Sequence, residues 1–190
     1  MSLSPTSQKL RAAVLLAIQA LLVLSIAGKY LYERKVCPRI WVRTAQFDPN
    51  LPLRGRYLAL RLTIDACSLP KDEAHDIQGY VNPGTFRSGG SWSWTVKPVA
   101  RDGKLVPVLA GDADKPESTD ELTLWKNRPC DRASLSSSVD YFIPDTAKSP
   151  FPLKPREELW VEVTVPLTGP PRPIQLAISK DGAFTPLDLR

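Results

Sequence analysis

The stretch YLALRLTID, residues 57–65, alternates two kinds of side chain along its length. Its large aliphatic side chains occupy every second position: Leu58, Leu60, Leu62 and Ile64. In an extended chain such positions share one face, so the pattern predicts a β-strand that lies with one face on a hydrophobic core.

The same period of two appears on both sides of this stretch. Residues 40–44 and 159–165 alternate in the same way. Asp102-Gly103 and Asp181-Gly182 each separate two extended segments, which is the sequence signal of a tight hairpin. Two less regular candidate strands complete the set: residues 121–126 and 134–143. About eight strands in one domain predict a mostly β fold, a sandwich or a barrel-like domain.

The proline content supports this interpretation. The chain has 19 prolines in 190 residues, nearly all of them beyond Pro38. Because proline removes a backbone donor and clashes with the preceding turn, long helices are disfavoured there and a helical bundle is not predicted. One short helix is predicted over KDEAHDIQGY, residues 71–80, with Gly79 as its C-cap.

Residues 12–28, AAVLLAIQALLVLSIAG, contain no charged residue and no proline. Extended through Tyr30 and Tyr32, the segment makes roughly 31 Å of helix, which matches the hydrocarbon thickness of a bilayer. The two tyrosines then lie in the interfacial aromatic belt. We therefore predict four parts: a tail at 1–11, a transmembrane helix at 12–32, a juxtamembrane linker at 33–39 and a β-rich domain at 40–190.

A cleavable signal peptide is the alternative to an anchor. Lys9 and Arg11 precede the apolar run, and the small residues of Ser25-Ile26-Ala27 follow it. We predict an uncleaved anchor, because residues 29–35 continue a helical pattern and offer a protease no extended strand.

The net charge of +5 lies at the N-terminal end. Residues 1–39 contain six Lys or Arg against Glu33 alone, whereas residues 40–190 contain 19 charges of each sign. The neutral domain lacks a basic stripe, so no nucleic-acid partner is predicted. Positive charges flank both ends of the apolar run, and their count slightly favours a cytoplasmic C-terminal domain without deciding the orientation.

Signals for a metal or a catalytic histidine are weak. The only histidine, His75, stands among three acids: Asp72, Glu73 and Asp76. A zinc site needs several nitrogen or sulfur ligands, and Ser-His-Asp catalysis lacks a Gly-x-Ser-x-Gly motif here. We predict no metal and no cofactor.

One enzymatic alternative is kept, a membrane-bound serine/lysine hydrolase of the signal-peptidase kind. Its candidates are Ser91, Ser93 and Lys97. The structural alternative for the same residues is a tryptophan-rich strand that begins after Gly89-Gly90.

The three cysteines are an odd number. Outside the cytoplasm Cys67 and Cys130 are the candidate disulfide, and Cys37, next to the membrane, remains free or pairs between chains. Buried reduced thiols are the alternative.

The segment around Tyr57 resembles the signature of the GDYXXLXY family of small bacterial proteins, Gly-Asp-Tyr-x-x-Leu-x-Tyr. Three signature positions match: Gly55, Tyr57 and Leu60. Two differ, because Arg56 stands where the family has Asp and Leu62 where it has the last Tyr. The stretch YFIP at residues 141–144 is also similar to the second half of such proteins.

This resemblance implies a single-span protein whose β-domain lies outside the cytoplasmic (inner) membrane, often beside multi-spanning membrane proteins. It implies no particular reaction. We therefore predict a non-enzymatic, membrane-anchored accessory or partner-binding component of a membrane complex, with another integral membrane protein as partner. The candidate binding residues are Arg54, Arg56 and Tyr57; Gly55 and Leu60 have structural roles, at the loop entry and in the core.

Overall fold

The computed structural model describes residues 5–46, 57–78, 89–144 and 153–187. The chain divides into two units, Met1–Cys37 and Pro38–Arg190. The first unit contains one helix, and the second is an antiparallel β-domain.

The helix α1 extends over Pro5–Val36. Pro5 occupies the first turn, where a missing backbone donor is tolerated, and Pro38 follows the last turn, since the residue before a proline avoids the helical region. From Arg11 to Val36 the helix is long and apolar enough to cross a membrane, and no part of its most apolar window is buried. The helix therefore includes residues that the sequence assigned to the tail and to the linker.

Ten strands in the described residues form one sheet. In chain order they are β1 (Arg39–Gln46), β2 (Tyr57–Ile64), β3 (His75–Ile77), β4 (Ser91–Arg101), β5 (Lys104–Leu109), β6 (Asp120–Trp125), β7 (Ala133–Phe142), β8 (Glu157–Thr164), β9 (Arg172–Lys180) and β10 (Ala183–Pro186). Two single 3₁₀ turns, Pro116–Ser118 and Cys130–Arg132, lie before β6 and β7.

The sheet is antiparallel, with its strands in the order β10-β9-β8-β1-β2-β7-β6-β4-β3 and with β5 paired to β4 beside this path. The first strand is central, because β1 pairs with β8 on one side and with β2 on the other. Strands that are distant in this order also touch, β1 with β5 and β7 with β9. The sheet thus curls around its own core, and the predicted mostly β domain after an N-terminal helix is confirmed.

Alternation along the strands builds the core. On β2 the side chains of Leu60, Leu62 and Ile64 are buried, whereas Arg61 and Thr63 between them are only half-buried. Strand β8 contributes a second such set: Leu159, Val161 and Val163. The period of two therefore predicted the inward face of these residues correctly, but Leu58, predicted on the same face, is only half-buried and Ala59 is buried.

Trp94 on β4 has the largest of the fully buried side chains. Its ring packs in the core, and its Nε1 donates to the carbonyl oxygen of Pro70 at 2.8 Å. A buried indole N–H without an acceptor costs free energy, so this bond stabilises the burial of Trp94. The bond also holds the segment between β2 and β3 against the sheet.

Both predicted Asp-Gly hairpins are present. Asp102 and Gly103 have φ angles of 50° and 72°, and Asp181 and Gly182 have 50° and 86°. Positive φ at both central residues gives a turn whose twist matches that of the flanking strands. The turns join β4 to β5 and β9 to β10.

One element was predicted wrongly. Residues 71–78 contain no helix; His75–Ile77 is the edge strand β3, paired with residues 91–93 of β4, and Gly79, the predicted C-cap, lies outside the described residues. Pairing with a neighbouring strand outweighs the local helical preference of these residues. The candidate strands at 121–126 and 134–143 are confirmed as β6 and β7.

We predict that Val163→Ala lowers the free energy of unfolding by about 2 kcal/mol, because it removes two buried methyl groups and leaves a cavity. Val163 has 0% of its surface exposed, whereas Val108 on β5 has 38% exposed. Val108→Ala is the matched control and should cost clearly less. Denaturant titration of the full chain in detergent measures both; equal losses would contradict this description of the core.

Candidate functional site

A cleft of about 310 Å³ opens beside β1. We call it the aromatic cleft. Its walls come from β1, β8, the end of β2, the β4–β5 turn and the 3₁₀ turn before β7. The side chains that give it its character are Trp41, Arg43, Asp65, Lys104, Asp131 and Trp160.

The strand register explains why the two tryptophans lie near one another on one face of the sheet. Trp41 and Arg43 are two positions apart on β1 and so share the face opposite to Val42, which is buried. On β8, Trp160 is the direct cross-strand partner of Arg43. The ring of Phe184 on β10 contacts both indoles, with centroid distances of 6.0 Å to Trp41 and 5.1 Å to Trp160.

Arg43 contacts the Trp160 ring and also forms an ion pair. Its guanidinium lies 5.7 Å from the centre of the Trp160 ring, within cation–π range. Its Nε is 3.1 Å from Oε2 of Glu158, an ion pair whose angle does not meet hydrogen-bond geometry. Arg132 approaches the other carboxylate oxygen of Glu158 at 3.9 Å.

A disulfide joins the two chain segments that carry Asp65 and Asp131, which form the acidic wall of the cleft. Cys67 is bonded to Cys130, so Asp65 and Asp131 both stand within two residues of the bridge. The backbone N–H of Cys67 donates to Asp65 Oδ1 at 2.7 Å, and the N–H of Ala66 donates to the carbonyl oxygen of Cys130 at 2.9 Å. Closing a loop of this size stabilises the fold by about 4 kcal/mol in a chain-entropy estimate. Cys37 is a free thiol.

Asp65, Cys67 and Cys130 are also the one group of three metal-ligating side chains within 4.8 Å of one another in the described ranges. Sulfur binds metals as a thiolate, which the disulfide removes. Asp65 alone is then no metal site.

The cleft presents charges of both signs beside an indole surface. Arg43 and Lys104 are cationic, and Asp65 and Asp131 are anionic. Within the described part of the chain the buried Nε1 of Trp160 has no hydrogen-bond acceptor. The volume is at the lower end of ligand pockets, so the cleft suits a side chain or a small polar molecule with an apolar face.

The family-signature residues lie elsewhere. Arg54, Gly55 and Arg56 are outside the described residues. Tyr57, half-buried at the start of β2, has its ring 6.2 Å from that of Phe142, and Leu60 is fully buried in the core. Tyr57 therefore stands at the other end of β2 from the cleft, and the binding role predicted for it stays a prediction.

The serine/lysine candidates are not brought together. Ser91 and Ser93 are 4% and 3% exposed. The hydroxyl of Ser93 donates to Glu121 Oε1, whereas Lys97 Nζ bonds Asp114 Oδ1 at 2.9 Å. Four residues of extended strand separate Ser93 from Lys97, or roughly 13 Å, which is too far for a shared proton.

His75 lies directly across from Ser93 in the β3–β4 pairing. Its neighbour Asp76 is paired with Lys126 at 2.5 Å, and Lys126 also lies 5.4 Å from the centre of the Trp92 ring. The described residues around His75 form no ligand cluster.

Two carboxyl groups near β6 have shifted pKa values of opposite sign. A hydrogen bond from Lys97 holds the pKa of Asp114 below its ordinary value of 3.8, and the backbone N–H of Gly111 adds to this. Burial raises the pKa of Asp120 above 3.8, although Ser137 and the N–H of Glu121 both donate to its carboxylate. Loss of water outweighs these bonds at Asp120.

Comparison of the chain with protein-family models, with curated proteins and with solved structures found no match. The resemblance to the GDYXXLXY family thus remains a prediction.

No sequence pattern predicted the aromatic cleft. One signal was available, since Trp41 and Trp160 both occupy the outward positions of strands whose alternate residues are core. The sequence does not state which strands pair, and only the β1–β8 register places these two side chains at one site.

We predict opposite pH effects for two substitutions. The protonated carboxyl of Asp120 stabilises the folded state, because folding raises its pKa above 3.8. This contribution is fully present below pH 3.8 and is lost as the pH rises through the raised pKa. The free energy of unfolding of the wild type minus that of Asp120→Asn should therefore fall over that window. For Asp114, stability present above pH 3.8 is lost as the pH falls through the lowered pKa.

The wild-type value minus that of Asp114→Asn should accordingly rise with pH just below 3.8. Denaturant titrations of both variants in one buffer series measure the two differences. The same direction of change for both variants would contradict the assignment.

Proposed function

We propose that this chain is a membrane-anchored, non-enzymatic binding domain. Helix α1 holds it in the cytoplasmic membrane, the β-domain lies on the extracytoplasmic side, and the aromatic cleft binds a segment of another integral membrane protein. The observation that carries the proposal is the cleft itself, whose acidic wall is joined by the Cys67–Cys130 disulfide.

The disulfide supports an extracytoplasmic location for the β-domain. Stable disulfides form outside the reducing cytosol, and this bridge closes a large part of the β-domain. A domain that needs it to fix a binding site is expected where thiols are oxidised. The helix supports membrane anchoring, since the segment from Arg11 to Val36 is long and apolar enough to cross a bilayer and its most apolar window is not packed against protein.

The composition of the cleft supports binding. Tryptophan and arginine are the residues that contribute most to protein recognition, because they combine large apolar area with directed polar groups. Here Arg43 is already stacked on Trp160 and paired with Glu158, so this part of the wall is ordered before a partner arrives. Preordered side chains lose less entropy on binding.

The contacts of Ser93 and Lys97 favour a non-catalytic role. Lys97 is held by Asp114, and the Ser93 hydroxyl is buried against Glu121. A nucleophile needs an accessible position and a base within hydrogen-bond reach. Neither condition is met by Ser93 with Lys97.

We predict that an alkaline phosphatase fusion at residue 190 is active and that a fluorescent-protein fusion at the same site is dark, because the domain lies outside the cytoplasm. Alkylation of intact membranes before reduction should modify Cys37 and leave Cys67 and Cys130 blocked. Fluorescent-protein and phosphatase fusions at residue 1 are the control and should give the reverse result. A fluorescent, phosphatase-inactive C-terminal fusion overturns the orientation.

We predict that Lys104→Glu weakens recovery of a co-purifying membrane protein roughly fivefold, as expected for a contact of about 1 kcal/mol. Lys104 is exposed at the rim of the cleft, so folding should be unchanged. Lys180→Glu is the matched control, since Lys180 is also an exposed lysine, on β9, but does not line the cleft.

Equal recovery with both lysine variants would contradict binding at the cleft. Loss of a hydrolytic activity in Ser93→Ala or Lys97→Ala, with circular dichroism unchanged, would instead establish the serine/lysine hydrolase.

A further inference from the structure

The connection between β8 and β9, residues 165–171, presents one apolar side chain to the outside. Leu167 has 91% of its surface exposed, whereas Val165, which precedes it by two residues, has 7% exposed. Prolines surround it, in the sequence VPLTGPP. We call residues 165–171 the leucine loop.

The leucine loop is fixed at both ends. The backbone N–H of Val165 donates to the carbonyl oxygen of Pro38 at 3.1 Å. The N–H of Gly169 donates to Oγ of Ser118 at 3.3 Å, and Gly169 has a φ of +93°, which favours glycine. Leu167 is thus held outward by a tethered loop and is not on a free tail.

The bond to Pro38 places the loop close to the end of α1 along the chain. Helix α1 ends at Val36, and two residues of chain reach at most about 7 Å. If residues 12–32 fill the hydrocarbon layer, Val36 stands roughly 6 Å above it, at the level of the lipid headgroups. Covalent length limits only the distance from Val36 to Pro38; Leu167, two residues beyond Val165, reaches the same level when this end of the β-domain faces the membrane.

Two basic residues lie beside the leucine loop in the sheet, and two more lie close to Pro38 along the chain. Arg39 on β1 and Arg172 on β9 are both cross-strand partners of Thr164, the last residue of β8 before the loop. Arg34 and Lys35 occupy the last turn of α1. Basic residues near a membrane surface are attracted to anionic lipid headgroups.

We propose that the leucine loop is a second membrane contact, with Leu167 inserted among the headgroups of the bilayer that α1 crosses. This inference rests on the proposed membrane anchoring. A single aliphatic side chain at the interface, supported by neighbouring cations, adds to the anchor by burying apolar area and by attracting anionic lipid. It would hold this end of the β-domain on the membrane.

The test uses the full chain in vesicles of phosphatidylethanolamine and phosphatidylglycerol, with Cys37→Ser removing the free thiol. An environment-sensitive fluorophore is attached at Leu167→Cys, Phe142→Cys or Leu24→Cys. Phe142 is the matched control: it is 72% exposed and lies at the opposite end of the sheet, roughly 30 Å away along the strands. Leu24, 71% exposed on α1, reports the anchor.

Lipids spin-labelled near the headgroup end of the acyl chain should quench the label at residue 167 several-fold more than the label at residue 142. If residue 24 is quenched by lipids labelled deep in the chain but residue 167 behaves like residue 142, the loop inference is wrong and the anchor stands. If residue 24 is not quenched either, the anchor is wrong and the loop inference falls with it. A blue-shifted but unquenched label at residue 167 means a protein contact and also overturns the proposal.

Discussion

Backbone pairing on both edges of β1 is the constraint on which the rest of this domain depends. Strands β8, β9 and β10 connect to β2, β7, β6 and β4 only through β1 in the order of the sheet. Strand β1 therefore supplies the backbone hydrogen bonds that join the last three strands to the rest of the sheet. The same strand carries Trp41 and Arg43 into the aromatic cleft, and Pro38, next to its first residue, accepts the hydrogen bond from the leucine loop.

The disulfide and the cleft are two parts of one arrangement. Cys67 follows β2 and Cys130 begins the turn before β7, and these strands are neighbours in the sheet. The bridge thus fixes the ends of two paired strands and sets the separation of Asp65 and Asp131 on the cleft wall. Reduction would remove this cross-link between the segments of Asp65 and Asp131, whereas Trp41 and Trp160 lie on β1 and β8, which backbone pairing joins directly.

Local sequence patterns were sufficient where a residue's environment depends on its own strand or turn. The alternation in residues 57–65 gave the buried face of β2, and Asp-Gly at 102–103 and 181–182 gave two hairpins, because positive φ is available locally to Asp and Gly. The helix predicted over residues 71–80 was wrong because the environment of these residues depends on a distant strand. His75–Ile77 gains backbone partners on β4, and no local pattern records an edge that distant residues provide.

The sequence by itself determined an apolar N-terminal helix, a mostly β domain and the inward face of its strands, because hydrophobic periodicity and helix length are properties of neighbouring residues. Only the tertiary structure decided that β1 is central, that Trp41 and Trp160 share a cleft, and that residue 165 bonds Pro38. Those facts depend on which strands pair and in what register. Many pairings satisfy the same alternation, and the choice among them is made by packing of the whole sheet around one core.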